Sequence, residues 1–152
     1  ILISYSEHDK KIQIKKNLDP NLAQLTIDPE QIRRVLINLF ENATDAIDEG
    51  GAIQITTKIL DEKKWVRIEF SDNGAGISSA DREKLFLPHF TTKKRGTGLG
   101  LAIVNRIIID HNGIIKVQDN YPKGTTFIIE LPYSQTTLKT HKTLPKSFSD
   151  IS

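Results

Sequence analysis

Cysteine is absent from the 152 residues, which excludes a disulfide framework and a thiolate metal site. Such a composition suits a reducing compartment, and the chain is expected to be a cytoplasmic domain. Methionine is absent as well and the chain opens on Ile1. It therefore reads as a fragment of something longer, in which a membrane anchor or further domains can lie. No apolar run approaches a membrane span, and the N-terminus carries no signal-peptide pattern. An excess of one charge is also missing. The formal net charge is +2, too little to imply a nucleic-acid partner. What remains, 38% hydrophobic and 26% charged residues, is an ordinary globular balance in a length that fits one domain.

The patterning divides this length into elements. Residues 11–15 alternate and predict a half-buried strand, and 23–27 a second short one. Asp28 can cap a helix, Pro29 suits its first position and Gln31 completes a capping box. That helix is expected to run to about Glu49 and stop at Gly50-Gly51. Ile32, Val35, Leu36, Leu39, Ala43, Ala46 and Ile47 form its core-facing stripe. Beside it Asn38, Asn42 and Asp45, at i, i+4 and i+7, form a polar stripe. Asn and Asp are poorer helix formers than Lys, Glu or Ala, so this stripe costs propensity and invites a functional reading. A hairpin of strands 52–60 and 65–71 follows. Ser78 and Asp81 cap a short helix to about Phe86, which Pro88 ends. Residues 87–95 form a polar, basic loop. Gly96 to Leu101 leads into an apolar helix ending near His111, with Gly113 as its stop. Residues 114–118 and 126–131 close the domain as a hairpin. The domain is expected to span 1–133, with 134–152 as a flexible Ser-, Thr- and Lys-rich tail. Helices do not alternate regularly with strands. The order predicts an α+β fold, a two-layer sandwich whose mostly antiparallel mixed sheet carries helices on one face.

Three segments carry chemistry. Asp72-x-Gly74-x-Gly76 follows a strand, where glycines admit close approach and a carboxylate can accept a hydrogen bond from an exocyclic amine such as adenine's. Alone, Asp-Asn-Gly is also an ordinary turn. Gly96-x-Gly98-x-Gly100 opens a helix, whose N–H groups and positive dipole end suit phosphate. The same glycines also suit a flexible loop with tight helix packing. Its spacing fits neither the dinucleotide fingerprint nor the P-loop. The Asn stripe offers oxygens to Mg²⁺, which shares its ligands with water and substrate phosphates. Glu41 lies off that stripe, as a general base or merely an exposed carboxylate. Lys93, Lys94 and Arg95 can neutralise phosphate as a lid closes, or simply form a solvated basic loop.

The joint order of these segments resembles the catalytic and ATP-binding domain of sensor histidine kinases, within the family that includes gyrase-type, heat-shock-90-type and MutL-type ATPases. The matching text is Asn38-Leu-Phe-Glu-Asn42-Ala-Thr-Asp-Ala46, Asp72-Asn-Gly-Ala-Gly76, Phe86-Leu-Pro-His-Phe90, Gly96-Thr-Gly-Leu-Gly-Leu101 and Gly124-Thr-Thr-Phe127. The run from Pro88 to Leu101 looks most like the nitrogen-regulation branch. The resemblance implies that Asn42 coordinates Mg²⁺ with Asn38 in support, and that Asp72 binds adenine in a pocket shaped by Gly74, Gly76 and Ile77. It implies that Gly96, Gly98 and Gly100 border the phosphates, and Thr97, Leu99 and Leu101, with Lys93 and Arg95 of the basic loop, are taken as binding residues beside them. Thr125 or Thr126, of which Thr126 is taken as the binding residue, is expected near the base, and 77–95 forms a lid. Glu41 and Asn42 are the catalytic candidates.

The same resemblance implies ATP as ligand, a phosphoacceptor and dimerisation domain of the same protein as partner, a response regulator downstream, and a full-length homodimer. The isolated chain is expected to bind nucleotide but to phosphorylate little. A gyrase- or MutL-type ATPase, or an ATP-binding pseudokinase, shares some of this text. Departures are visible. Asp45 stands where many of these kinases carry Lys or Arg, so lid basic residues are expected to supply that charge. His89 takes a place often aromatic, and is expected to pack like one. His8-Asp9 lacks the proline of a phosphoacceptor helix, so that histidine is expected upstream of this chain.

Overall fold

A computed structural model describes residues 11–60, 62, 64–93 and 96–133. His8, Lys94, Arg95 and the segment from Ser134 onward, on which expectations were placed, lie outside the described residues. The elements are β1 (Gln13–Asn17), α1 (Pro29–Ala46), β2 (Ala52–Leu60), β3 (Trp65–Asp72), α2 (Ser79–Arg82), α3 (Gly100–Asp110), β4 (Ile114–Asp119) and β5 (Thr125–Pro132). They form a five-stranded sheet in the order β1-β2-β3-β5-β4. β1 and β2 are parallel, joined across α1, and every other pair is antiparallel. This is the α+β arrangement that the order of the patterns predicts.

Strand alternation decides what the sheet offers to each side. Ile53, Phe70, Phe127, Ile129 and Leu131 share the buried face with Val35, Leu39 and Ala43 of α1 and Val104, Ile107 and Ile108 of α3. On the opposite face Arg67 pairs with Glu130 on neighbouring β5, and Lys58 lies 3.5 Å from Glu69. A strand that is polar on one side and branched-apolar on the other specifies its own register, because a one-residue slip would expose the whole core set.

Local expectations need correction at several places, the first strand running over Gln13–Asn17 and not 11–15. Residues 23–27 join no ladder; Leu25 and Ile27 pack against the core from the connection between β1 and α1. The helix capped at Ser78 ends at Arg82, and the chain goes on in tight i→i+3 turns through Leu87. Finally, α1 stops at Ala46 rather than near Glu49. A continued helix would have Gly50 N–H donate to the Ala46 carbonyl. Instead that carbonyl accepts Ala75 N–H at 2.8 Å. A tertiary donor from the first glycine loop thus replaces a helical one, and Ile47 turns outward from the helix path into the core at 2% exposure.

The start of α1 shows a similar exchange. Asp28 Oδ1 accepts Glu30 N–H and Gln31 N–H, as a cap should. The Asp28 N–H, which a capping box would give to Gln31, donates instead to His111 Nε2 at 3.0 Å. His111 Nδ1 lies 2.7 Å from the Ile107 carbonyl. Accepting at Nε2 requires the neutral ring with its proton on Nδ1, which then donates to Ile107. One imidazole therefore ties the end of α3 to the start of α1. His111→Ala should lower stability by about 1 kcal/mol, measured as a lower denaturant midpoint at unchanged slope.

Candidate functional site

Helix α1 meets three parts of the molecule along one side. Positions 38, 42 and 46 follow at i, i+4 and i+8, so they drift only slowly round the axis and span about 12 Å. At Asn38, Nδ2 donates to the Arg34 carbonyl at 2.9 Å, and Oδ1 abuts the first residue of α3. A methyl on Gly100 would come within 2.7 Å of that oxygen. At Asn42, Oδ1 accepts a hydrogen bond from Lys93 Nζ at 2.8 Å. At Ala46 the carbonyl receives the loop after β3, and Gly74 lies so close that a Cβ there would stand 2.5 Å from it. The two glycine segments, distant in sequence, thus dock at either end of the same polar edge.

The β3 end supplies the buried carboxylate. Asp72 is 3% exposed. Its Oδ1 accepts from Gly74 N–H at 2.8 Å and Thr125 N–H at 3.3 Å. Burial pushes its pKa above the usual 3.8, and these two bonds pull the other way without cancelling the effect. Both bonds fall on one oxygen, and neither involves Oδ2. Asn120 Nδ2 holds the Asp72 carbonyl at 2.7 Å, and Gly76 carries φ +81, a conformation open to glycine.

The other end of this edge is built from α3. Leu99 is its N-cap. Among the described residues its first turn has neither a side-chain cap nor an acidic group, the condition in which a helix start takes an anion. Gly98 has φ +70, and a Cβ there would lie 2.4 Å from the backbone carbon of His89. The contact is reinforced by His89 N–H donating to the Gly98 carbonyl at 3.0 Å. Gly96 leaves no room either, standing 2.6 Å from Thr91 Oγ1 by the same measure.

The expected site residues divide accordingly. Asn38, Asn42, Lys93, Asp72, Gly74, Gly76, Gly98 and Gly100 come together along α1 and the ends of β3 and α3. Ile77 and Leu101 support the site as partly buried apolar residues packed on the core. Thr97 receives Leu99 N–H on its hydroxyl at 3.4 Å. Glu41 precedes Asn42 and is exposed. Arg95 lies outside the described residues.

Corrections concern two side chains. Thr126 pairs with Ser71, its hydroxyl 2.8 Å from Ser71 Oγ on the polar face of the sheet. Alternation puts Thr125, the next residue along, on the Asp72 side. Thr125, and not Thr126, is therefore the threonine beside Asp72. His89 does not pack as an aromatic; it is exposed with φ +64, and its backbone rather than its ring makes the contact with Gly98. Asn120 was not anticipated, because in sequence it is only a polar residue in a hairpin turn.

Among the described residues no cluster of three or more His, Asp or Glu could cage a metal. A magnesium ion does not need one, since it takes one or two protein oxygens and completes its shell from phosphates and water. Asn42 Oδ1 already faces a cationic group, Lys93 Nζ, so its environment fits a cation. Among the described residues no helix is long and apolar enough to cross a membrane.

Comparison with known proteins agrees with this geometry. Residues 27–135 match the family described as histidine kinase-, DNA gyrase B-, and HSP90-like ATPase. The sensor histidine kinase ZraS of Escherichia coli K12 is 37% identical over 135 residues, which cover 89% of this chain and 29% of ZraS. The sensory histidine kinase/phosphatase NtrB of Vibrio alginolyticus is 35% identical over 136 residues, covering 83% of this chain and 39% of NtrB. The chain thus spans well under half the length of these relatives. Among solved structures, the nucleotide-free catalytic domain of histidine kinase ThkA superposes with a TM-score of 0.71 at 39% identity, over 80% of this chain and 78% of that one. ThkA in complex with the response regulator TrrA gives 0.68 at 35% identity, over 81% and 34% of the two chains.

Proposed function

Because this chain belongs to the histidine kinase-, DNA gyrase B-, and HSP90-like ATPase family, as a sensor histidine kinase catalytic domain, we propose that it binds Mg·ATP along α1. There it presents the γ-phosphoryl group to a histidine on a separate dimerisation domain of the same protein. One observation carries this reading. The buried carboxylate loop, the cation-facing asparagine and the uncapped helix start dock in that order on Ala46, Asn42 and Asn38. Base, metal and phosphates of an extended nucleoside triphosphate follow in the same order.

The residues then take separate roles. Asp72 accepts the adenine amino group on Oδ2, with Thr125, Gly74 and Gly76 shaping the floor. The first N–H groups of α3 and the loop from Gly96 to Gly100 hold phosphate oxygens, while Leu99 and Leu101 anchor that loop. Asn42 would hold the magnesium ion, and Asn38 keeps α3 at its distance from α1. When bound, the ion would neutralise phosphate charge and orient the chain of phosphates. Glu41, next to Asn42 and exposed, is the carboxylate we assign to taking a proton from the incoming imidazole. In such transfers positioning and charge neutralisation supply most of the rate. A cytoplasmic location of the domain fits ATP as its ligand. A homodimer fits transfer to a dimerisation domain, and a response regulator as downstream partner is supported by the ThkA–TrrA complex.

Mixing this domain with the phosphoacceptor fragment of its own protein and γ-labelled ATP should yield an acid-labile, base-stable phosphoprotein. Free phosphate without labelling would favour a gyrase- or MutL-type ATPase, and no nucleotide binding in calorimetry would sink the reading. Asn42→Ala should weaken the magnesium-dependent part of binding at least about tenfold, as removing a metal's supporting groups does. Metal-free binding should change little.

A further inference from the structure

We propose that Asp45 is a positioning residue for the lid. It holds the Lys93 ammonium against Asn42 Oδ1, on the oxygen a divalent cation would use, so that metal loading must release the lid. The inference rests on the nucleotide reading above. Lys93 Nζ is 2.8 Å from Asn42 Oδ1 and 2.5 Å from Asp45 Oδ2. Both partners lie on α1, 51 and 48 residues before Lys93, so the contact fixes one point of the loop leading to Gly96 on the wall of the site. The backbone around Lys93 is shaped for this reach. Its N–H donates to Thr91 Oγ1 at 3.0 Å, and its carbonyl accepts Gly96 N–H at 3.4 Å.

Sequence spacing alone makes Asp45 an odd neighbour for phosphates. A carboxylate one helical turn beyond Asn42 repels an anionic ligand. Paired with Lys93, it presents no net charge. The same ammonium and a divalent ion are mutually exclusive on Asn42 Oδ1. An ion bound to that oxygen would lie close to the ammonium, and two cations within a few ångströms of one another repel strongly. Lys93 would therefore have to leave Asn42 Oδ1 for a metal to be held there, and would leave beside the phosphates it can then neutralise. The contact is a moderate one, because the Lys93 and Asp45 side chains are 39% and 56% exposed. An exposed pair with one added charge-assisted hydrogen bond gives effects of about 3- to 10-fold.

Two measurements on the chain as it stands test this. The first needs no nucleotide. Acylation of Lys93 by an amine-reactive ester, followed by mass spectrometry against exposed Lys84, should run about 3- to 10-fold faster in Asp45→Asn than in the parent. An unchanged rate overturns the contact. The second is the Mg²⁺ concentration that half-saturates binding of a fluorescent adenine nucleotide. Asp45→Asn should lower it by about the same factor, and should have no effect in a Lys93→Met background. A rise in Asp45→Asn would make Asp45 a metal ligand and overturn the proposal. So would an effect that persists without Lys93. Absence of nucleotide binding by the parent would overturn the nucleotide reading and the competition with it, while the acylation rate would still report the contact by itself.

Discussion

Asp72→Asn should reduce affinity for adenine nucleotides about 100-fold or more while leaving the domain folded. Asparagine keeps an Oδ1 that accepts the Gly74 and Thr125 N–H groups, so the backbone of the pocket stays paired. It replaces Oδ2 by an NH₂ group, which meets the adenine amine donor to donor. A buried polar site offered the wrong partner loses its hydrogen bond and leaves groups unpaired, about 3 kcal/mol in all. Isothermal calorimetry with ATP, and with an unfolding curve as control, checks both halves. An affinity within threefold of the parent would mean that Asp72 does not read the base.

Acidity gives the same residue a second signature. Burial raises the Asp72 pKa above 3.8. Between 3.8 and that raised value the folded state holds a proton that the unfolded state has lost. The group's contribution to stability is therefore fully present below 3.8 and is lost as pH rises through the folded pKa. Nucleotide binding runs the other way. It needs the ionised acceptor, so affinity should fall as pH descends through the raised pKa, and Asp72→Asn should flatten that profile. Titrations at stepped pH separate the two, because the free domain and its complex respond with opposite signs.

Gly124→Ala should be the most damaging single-methyl change. Gly124 has φ +111, and an added Cβ would lie 2.0 Å from the Asp72 carbonyl oxygen and 2.8 Å from Asn73 Cα. These are backbone atoms and cannot swing aside. Relief requires the β4–β5 turn to move off β3, which breaks the Thr125 N–H bond to Asp72 and the Asn120 bond to its carbonyl. Strain and overpacking together cost about 3 kcal/mol or more, or a melting temperature lower by roughly 10 °C. Nucleotide binding should fall with it. Gly50→Ala is the matched control. It too has positive φ, +60, but meets nothing within 4 Å, so it should cost only about 1 kcal/mol. Equal losses at the two positions would refute the steric account.

Much of this molecule was legible in the chain before folding. β2 occupies the span that its β-branched run marks, and Asp28-Pro29 starts α1 where a cap and a first-turn proline should. The asparagine stripe, the Asp-x-Gly-x-Gly turn and the Gly-x-Gly-x-Gly helix start were visible because each is a local pattern with a local cause. Strand period, cap chemistry and glycine conformations act over a few residues, and adjacent letters encode them.

What stayed hidden has a common cause. Thr125 and Thr126 are chemically the same, and only the register of β5 on β3 turns one toward Asp72 and the other toward Ser71. The end of α1 depends on a carbonyl claimed by Ala75, a residue with no helical signal of its own. His111 reaches Asp28 across 83 residues, and Lys93 reaches Asn42 and Asp45 across the site. Such contacts form only after the core has set the distance between helices, so no window of sequence contains them. The sequence by itself determined the family, the layered fold and the order of motifs along the site. The tertiary structure decided which face each side chain takes, where the first helix yields its last carbonyl, and which cation meets Asn42, because packing rather than local preference fixes those distances.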